Sequence, residues 1–409
     1  MSARRIYLDN SATTPLDPRV VQAMLPFLDS VFGNPSSLHQ EGREAHECLD
    51  RARSQVAALL NADPGEIFFT ASGTESDNLA LTGIIEARGG SGNHIITSAI
   101  EHPAILETCR SHQKRGVEVT SLPSDSDGLI DPDELARAFR PTTRLVSIMT
   151  ANNVVGTVQP INELARIARD HGVPFHTDAV QAAGRIPINV QTQPVDLLSL
   201  SAHKIYGPKG VGALFVRKGT PIAPIINGGG QERGLRSATE NMAGIAGLGC
   251  AAEIASAEMS AEAARLVKLR DRIIETVPDL LPNAYLIGHR HRRLPGHVCL
   301  GFAGLEGESI RLLLSLDEAG IAVSTGSACS AHHAHQPSHV LQAMGFDPVR
   351  ARGSLRVTLG RFNTDTDVEA FLRVLPKKIK ELRSIATYPI TSNNQGKHYE
   401  SHCERPAGT

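Results

Sequence analysis

The residues whose types and order could do chemistry are Lys204, Asp178 and Cys329. Lys204 lies in Ser201-Ala202-His203-Lys204-Ile205-Tyr206-Gly207-Pro208, at the end of an apolar, strand-like segment. Asp178 lies upstream in His176-Thr177-Asp178-Ala179-Val180-Gln181, and Cys329 closes Gly326-Ser327-Ala328-Cys329 far downstream. A lysine can hold pyridoxal phosphate as a Schiff base, and an acid paired with the pyridinium nitrogen keeps the ring protonated, so that it accepts electrons from a substrate carbanion. A thiol would then accept whatever the ring releases. Singly, a lysine after a strand is usually a solvated charge and a cysteine among small residues is usually core. Their conjunction carries the reading.

Further candidates surround that trio. Ser72-Gly73-Thr74-Glu75 follows an apolar run and opens a helix, with Ser72 and Glu75 at capping-box spacing. A helix N-terminus offers free N–H groups and positive partial charge, so this turn could hold the cofactor phosphate; the plainer reading is a well-capped helix. His102, where a strand ends and a helix begins, could stack on the ring and exchange protons, or be a solvent-facing histidine at a helix start. Asp178 suits the pyridinium nitrogen and Gln181 the phenolic oxygen, the alternative for Asp178 being a helix N-cap. Lys204 follows Leu197-Leu198-Ser199-Leu200 at a buried strand end, where desolvation lowers the amine pKa, whereas Lys209 sits in a turn between Pro208 and Gly210.

The glycine-rich stretch 228–239 does not follow a strand as a dinucleotide fingerprint would. It suits close backbone approach, with Thr239 reaching a neighbouring subunit's phosphate, or a plain flexible loop. Arg356, in Ser354-Leu355-Arg356-Val357-Thr358, could clamp an amino-acid carboxylate, or simply form a strand salt bridge. His332, His333, His335 and His339 follow Cys329. Their spacing matches no common structural zinc site, and a ligated sulfur could not attack, so no metal is expected.

The elements that must position these residues follow from hydrophobic patterning. Short apolar runs recur at 67–70, 94–98, 117–122, 145–149, 173–178, 197–201 and 212–216, with helical segments such as 75–88, 104–115 and 161–171 between most of them. This alternation predicts an α/β fold with a mainly parallel, seven-stranded sheet covered on both faces. Ahead of it Ala45, Leu49, Ala52, Val56 and Leu59 repeat at helical spacing, which predicts an amphipathic helix packed on the sheet. Residues 241–281 read as a long helix able to bridge two domains. Strands at 297–302 and 354–359, with a helix at 368–385, give a smaller α/β unit. The predicted division is a large domain over 15–260, a small domain formed by 1–14 with 261–390 and carrying the Cys329 loop, and a mobile tail over 391–409.

At 409 residues with 41% hydrophobic content, the chain can bury a cavity and exceeds what one core usually serves. A formal charge of −2 gives no electropositive field for nucleic acid or anionic lipid. No apolar stretch near the start is long enough for a signal peptide or membrane span, and a cytoplasmic address is the simplest expectation. The 6 cysteines include no Cys-x-x-Cys pair, which fits a reducing compartment.

These stretches resemble the cysteine desulfurase (NifS/IscS-like) group of class V pyridoxal-phosphate enzymes. The resemblance rests on Tyr7-Leu8-Asp9-Asn10-Ser11-Ala12-Thr13-Thr14-Pro15, Gly33-Asn34-Pro35, Thr74-Glu75-Ser76-Asp77-Asn78, Glu101-His102, Asn152-Asn153, Asp178 with Gln181, the Lys204 segment, the glycine-rich stretch, the Cys329 segment and Arg356. It implies the type I transferase fold and a homodimer. It also implies that Lys204 carries the cofactor, His102 stacks and acts as acid and base, and Asp178 and Gln181 bind the ring. Gly73, Thr74, Ser201 and His203 would bind phosphate, Thr239 the other subunit's phosphate, and Asn34, Asn153 and Arg356 the substrate.

L-cysteine would displace Lys204, whose amine would remove the Cα proton. Cys329 would then take the sulfur as a persulfide for an acceptor or iron–sulfur scaffold protein, leaving alanine. Three positions depart from the pattern: Val154 where an acid is usual, Asn227 where a His is frequent, and a longer, His-rich segment after Cys329. The last resembles selenocysteine lyases, making L-selenocysteine the alternative substrate. A catalytically silent subunit of a sulfur-transfer complex is the remote alternative. A nicotinamide dehydrogenase is set aside, because no Gly-x-Gly-x-x-Gly lies between a strand and a helix.

Overall fold

A computed structural model describes residues 5–87, 93–326 and 337–385; Cys329, His332, His333, His335 and the 391–409 tail lie outside them. The strands are β1 (Ile6–Tyr7), β2 (Ile67–Thr70), β3 (His94–Ser98), β4 (Glu118–Leu122), β5 (Thr143–Ser147), β6 (Phe175–Asp178), β7 (Leu197–Ser201), β8 (Gly212–Val216), β9 (Ala284–Leu286), β10 (His297–Phe302), β11 (Ile321–Ala322) and β12 (Ser354–Thr358). The helices are α1 (Pro18–Met24), α2 (Gln40–Leu60), α3 (Gly73–Ala87), α4 (Pro103–Gln113), α5 (Pro132–Ala138), α6 (Ile161–Asp170), α7 (Met242–Leu280), α8 (Ser309–Glu318), α9 (His339–Ala343) and α10 (Asp365–Ile385).

The large sheet has 7 strands in the order β2-β8-β7-β6-β5-β3-β4. All its pairings are parallel except the two that β8 makes, with β2 and β7. Strands β3, β6, β7 and β8 are buried along their whole length, as a sheet covered on both faces requires. Parallel strands end on one edge, so the turns after β3, β6 and β7 bring His102, Asp178 and Lys204 to the same rim. β5 ends two residues before the predicted apolar run does. The Met149 N–H leaves the ladder and donates to the Glu101 carboxyl, 3.0 Å away.

One packing expectation is corrected. Helix α2 lies chiefly along α7, and only more lightly on strand β2. The first half of α7 is rich in Ala and Gly, which lets the two helices close up: a Cβ at Gly249 would stand 2.7 Å from the Ala52 Cα.

Two main apolar clusters share α7. Ile245, Leu248 and Ala252 pack with α2 and the sheet, whereas Leu266, Leu269, Ile273 and Val277 pack with β10, β12, α8 and α10. The second cluster includes Leu8, because β1 pairs in parallel with β11.

The glycine-rich stretch is anchored rather than free. Glu232 and Arg233 take left-handed backbone (φ 49 and 57), unusual for side chains of their size. Buried Glu232 accepts from Arg53 Nη1 (2.8 Å), Arg53 Nη2 (2.9 Å) and the Phe69 N–H (2.8 Å). Arg236 grips Glu75 in a second forked pair, at 2.7 and 3.2 Å. Removing one partner of a buried ion pair strands the other charge. Arg53→Met should therefore cost about 3–5 kcal/mol, read as a lower urea midpoint, and adding Glu232→Gln should recover a large part of it. An unchanged midpoint in the single variant would contradict this.

Candidate active site

The site is built on the carboxyl rim of the sheet. Lys204 ends a short 3-10 turn after β7, and its Nζ donates to the main-chain carbonyls of Ser11 (2.6 Å) and Ala12 (2.7 Å). The same Ser11 carbonyl accepts from Gln181 Nε2 (2.9 Å), so one N-terminal turn holds both side chains. His203 Nδ1 lies 3.1 Å from Thr13 Oγ1, and the His203 carbonyl accepts from the Thr14 hydroxyl and N–H. Tyr206, at φ 67, is fixed by its N–H to Thr14 Oγ1 and by its hydroxyl accepting from the Arg361 N–H.

His102 caps α4: its Nδ1 accepts from the Ala104 N–H at 3.1 Å, and so Nδ1 carries no proton. Burial, helped by the positive charge of Lys204, pushes its pKa down to about 4, and the ring is neutral at physiological pH. Asp178 Oδ1 accepts from the Val180 N–H (2.8 Å), an Asx turn that aims the carboxyl across the rim. Burial raises its pKa, and the buried carboxyl of Asp77 is raised by the same cause.

Asp77 was not singled out from sequence. Its Oδ1 has no hydrogen-bond partner and stands 3.7 Å from His176 Nε2. His176 is itself held by Ser147 and Ser199, each at 2.9 Å, and burial lowers its pKa to about 3. Glu101 is fully buried, receives Ser98 Oγ (2.5 Å), and offers its carbonyl to His339 Nε2 (2.9 Å). Polar Ser147, His176 and Ser199 inside otherwise apolar strands were the available signal for part of this layer, whereas Asp77 lies on α3 and Glu101 between β3 and α4.

The fit to pyridoxal phosphate is tested by groups left over. Gln181 Oε1 is buried without a partner, although its Nε2 is engaged. Ser72 Oγ accepts from the Glu75 N–H at 3.1 Å, and the Gly73 and Thr74 N–H groups precede that bond at the positive end of α3. A Cβ at Gly73 would lie 2.6 Å from Val180 Cγ2 and 3.4 Å from the Ser201 Cβ, so glycine lets the helix end close on the rim. These residues suit an anionic phosphate and a cationic ring nitrogen opposite Asp178.

Arg356 is 1% exposed. Its Nη1 donates to the Asn153 carbonyl (2.9 Å), and its Nη2 to Asp9 Oδ1 (3.1 Å) and Ser324 Oγ (3.0 Å). Asn34 and Thr239 are exposed and make no hydrogen bond to the Lys204 group; Asn34 Oδ1 accepts from the Ser36 N–H at 2.9 Å. Val154 is buried in the large core and Asn227 is exposed. Among the described residues no group of three or more His, Cys, Asp or Glu could hold a metal ion. The Cys329 thiol lies outside the described residues.

The family model described as Aminotransferase class-V matches residues 6–371. A cysteine desulfurase IscS of Dictyoglomus turgidum is 51% identical over 385 residues, covering 94% of this chain and 97% of the relative. One from Methanosarcina thermophila is 49% identical, covering 95% of each. Among solved structures, a NifS-like protein superposes with a TM-score of 0.85 at 41% identity, covering 93% of this chain and all of its own. SspA in complex with cysteine superposes at 0.78 with 36% identity, covering 88% of this chain.

Glu101 generates a pH prediction. Burial raises its pKa from 4.5 to about 8, so the folded state holds a proton that the unfolded chain releases. Its contribution to stability is complete below pH 4.5 and is lost as pH rises to about 8. Glu101→Gln abolishes that loss: Tm of the variant minus Tm of the wild type should grow across this interval and then level off. A difference that stays flat with pH would show the carboxyl to be ionised throughout.

Proposed function

The chain belongs to the class V aminotransferase family, and from that premise we infer that it is a pyridoxal-phosphate-dependent cysteine desulfurase, forming L-alanine from L-cysteine. The observation that carries the reading is the convergence of Lys204, Gln181 and Asp178 on one rim, in a chain about half identical to named cysteine desulfurases. The curated relatives are named for cysteine, which favours L-cysteine over the alternative L-selenocysteine suggested by the His-rich segment after Cys329.

When bound, pyridoxal phosphate supplies a sink for the electrons of the substrate's Cα–H bond. We assign Lys204 Nζ to the covalent attachment and, once the substrate amine has taken its place, to removal of the Cα proton. Asp178 would balance the ring nitrogen's charge, Gln181 would bind the phenolic oxygen through its amide, and neutral His102 would stack on the ring with a proton to exchange. Gly73, Thr74, Ser201 and His203 would hold phosphate, with Asn34, Asn153 and Arg356 on the substrate side. Cys329 thiolate would attack the substrate sulfur. The C–S bond breaks, its electron pair returns to the carbon fragment that becomes alanine, and the sulfur stays on Cys329 as a persulfide for an acceptor such as an iron–sulfur scaffold protein.

A homodimer is supported by Leu25, Leu28, Phe32 and Leu38, which are 47%, 68%, 79% and 90% exposed within one short stretch. That stretch neighbours Pro35 and Ser36, which line a hollow with Arg233 and Glu240 of the loop carrying Thr239. Thr239 would thereby reach the partner's phosphate. Among the described residues no helix is long and apolar enough to cross a membrane, and a reducing cytoplasm would keep Cys329 a thiol.

Lys204→Ala should abolish the visible cofactor band, whereas Cys329→Ser should keep the band and stop sulfide release. Unchanged turnover in Cys329→Ser would refute the nucleophile. Phe32→Asp with Leu28→Asp should halve the mass seen by light scattering and weaken cofactor retention; an unchanged mass would remove the interface.

A further inference from the structure

Arg356 raises a problem before any substrate arrives. A guanidinium that is 1% exposed cannot remain without a counter-charge in a dry interior. The structure supplies one from its own chain: Asp9 Oδ1 lies 3.1 Å from Nη2, and the Asp9 side chain is 18% exposed. Nη1 is committed to the Asn153 carbonyl, Nη2 is shared with Ser324 Oγ, and Nε is buried without a hydrogen-bond partner. A carboxylate that grips an arginine in forked fashion needs two adjacent N–H groups. Nε is unpaired, and its forked neighbour Nη2 is the group Asp9 occupies.

We propose that Asp9 is a positioning residue that fills the Arg356 clamp until the substrate's carboxylate replaces it. The incoming carboxylate takes Nε and competes with Asp9 for Nη2, and the guanidinium stays neutralised at every stage. Asp9 can give way because its side chain is 18% exposed and can turn toward solvent, whereas the buried guanidinium cannot. The segment Asp9-Asn10-Ser11-Ala12 thus touches both the clamp and the lysine, and a substrate carboxylate is exchanged for an internal one rather than added to an empty cation. This rests on the assignment of Arg356 to the substrate carboxylate given above.

The test uses the holoenzyme and propionate, which carries a carboxylate but no amine or thiol, with propionamide as the uncharged control. In Asp9→Asn the competitor loses its charge. The Kd of propionate by calorimetry should fall about tenfold, a change of about 1.4 kcal/mol, and KM for L-cysteine should fall with it. Propionamide should be unaffected. A propionate Kd that is unchanged or higher would overturn the proposal, because Asp9 would then only brace Arg356. Asp9→Ser, which also removes the charge, gives the same comparison should the Asn variant lose the visible cofactor band that reports a folded site. Wild-type turnover of L-cysteine is measured alongside and reports on the functional reading separately, since propionate binding needs no turnover.

Discussion

The structure depends on one short piece of backbone, the N-terminal run from Tyr7 to Thr14. Its first residues extend β11, and Asn10 and Ser11 hydrogen-bond to Thr358 at the end of β12. A few residues later its carbonyls receive Lys204, Gln181 and Arg185 from the large sheet's rim. The two apolar clusters are joined through α7 and also through this strap, and the strap passes through the site. A main-chain carbonyl suits that task, because it accepts a cation's hydrogen bond without adding a second charge to be desolvated.

Beneath the rim lies a layer of ionisable groups driven toward neutrality by burial. His176 and His102 are held deprotonated, while Glu101 and Asp77 are held toward the acid form. A neutral polar layer keeps its hydrogen bonds at a far smaller desolvation cost than an array of ions. On Asp178 the Val180 N–H and the positive charge of Lys204 oppose that drive and favour the ionised carboxyl against the burial that raises its pKa.

Much of the sheet was legible because periodicity reports burial. The runs 67–70, 94–98, 197–201, 212–216 and 297–302 coincide with β2, β3, β7, β8 and β10. The end of β5 was misplaced because Ile148 and Met149 are as apolar as a strand, and only the Glu101 side chain shows why the Met149 N–H goes elsewhere. The packing of α2 was misassigned for a similar reason. An amphipathic face says that something covers it but not which element, and Ile245 and Leu248 make α7 as apolar a partner as the sheet. In the site, residue types exposed Lys204, Asp178, Gln181, His102 and Arg356. They could not expose the carbonyls of Ser11 and Ala12, which any side chain could accompany, nor the Arg53–Glu232 pair, whose members stand 179 positions apart.

The pairing of Ile6 with Ile321 has a consequence for biosynthesis. β1 must wait for β11, hundreds of residues later in the chain, before it finds its neighbour, a loop closure of the slow, non-local kind. Until then the carbonyls that receive the Lys204 amine have no fixed place, although the large sheet's strands have all been translated. The nascent protein would carry a finished sheet and an unfinished lysine cradle, and its capacity to seat vitamin B6 would mature only once β11 has been added.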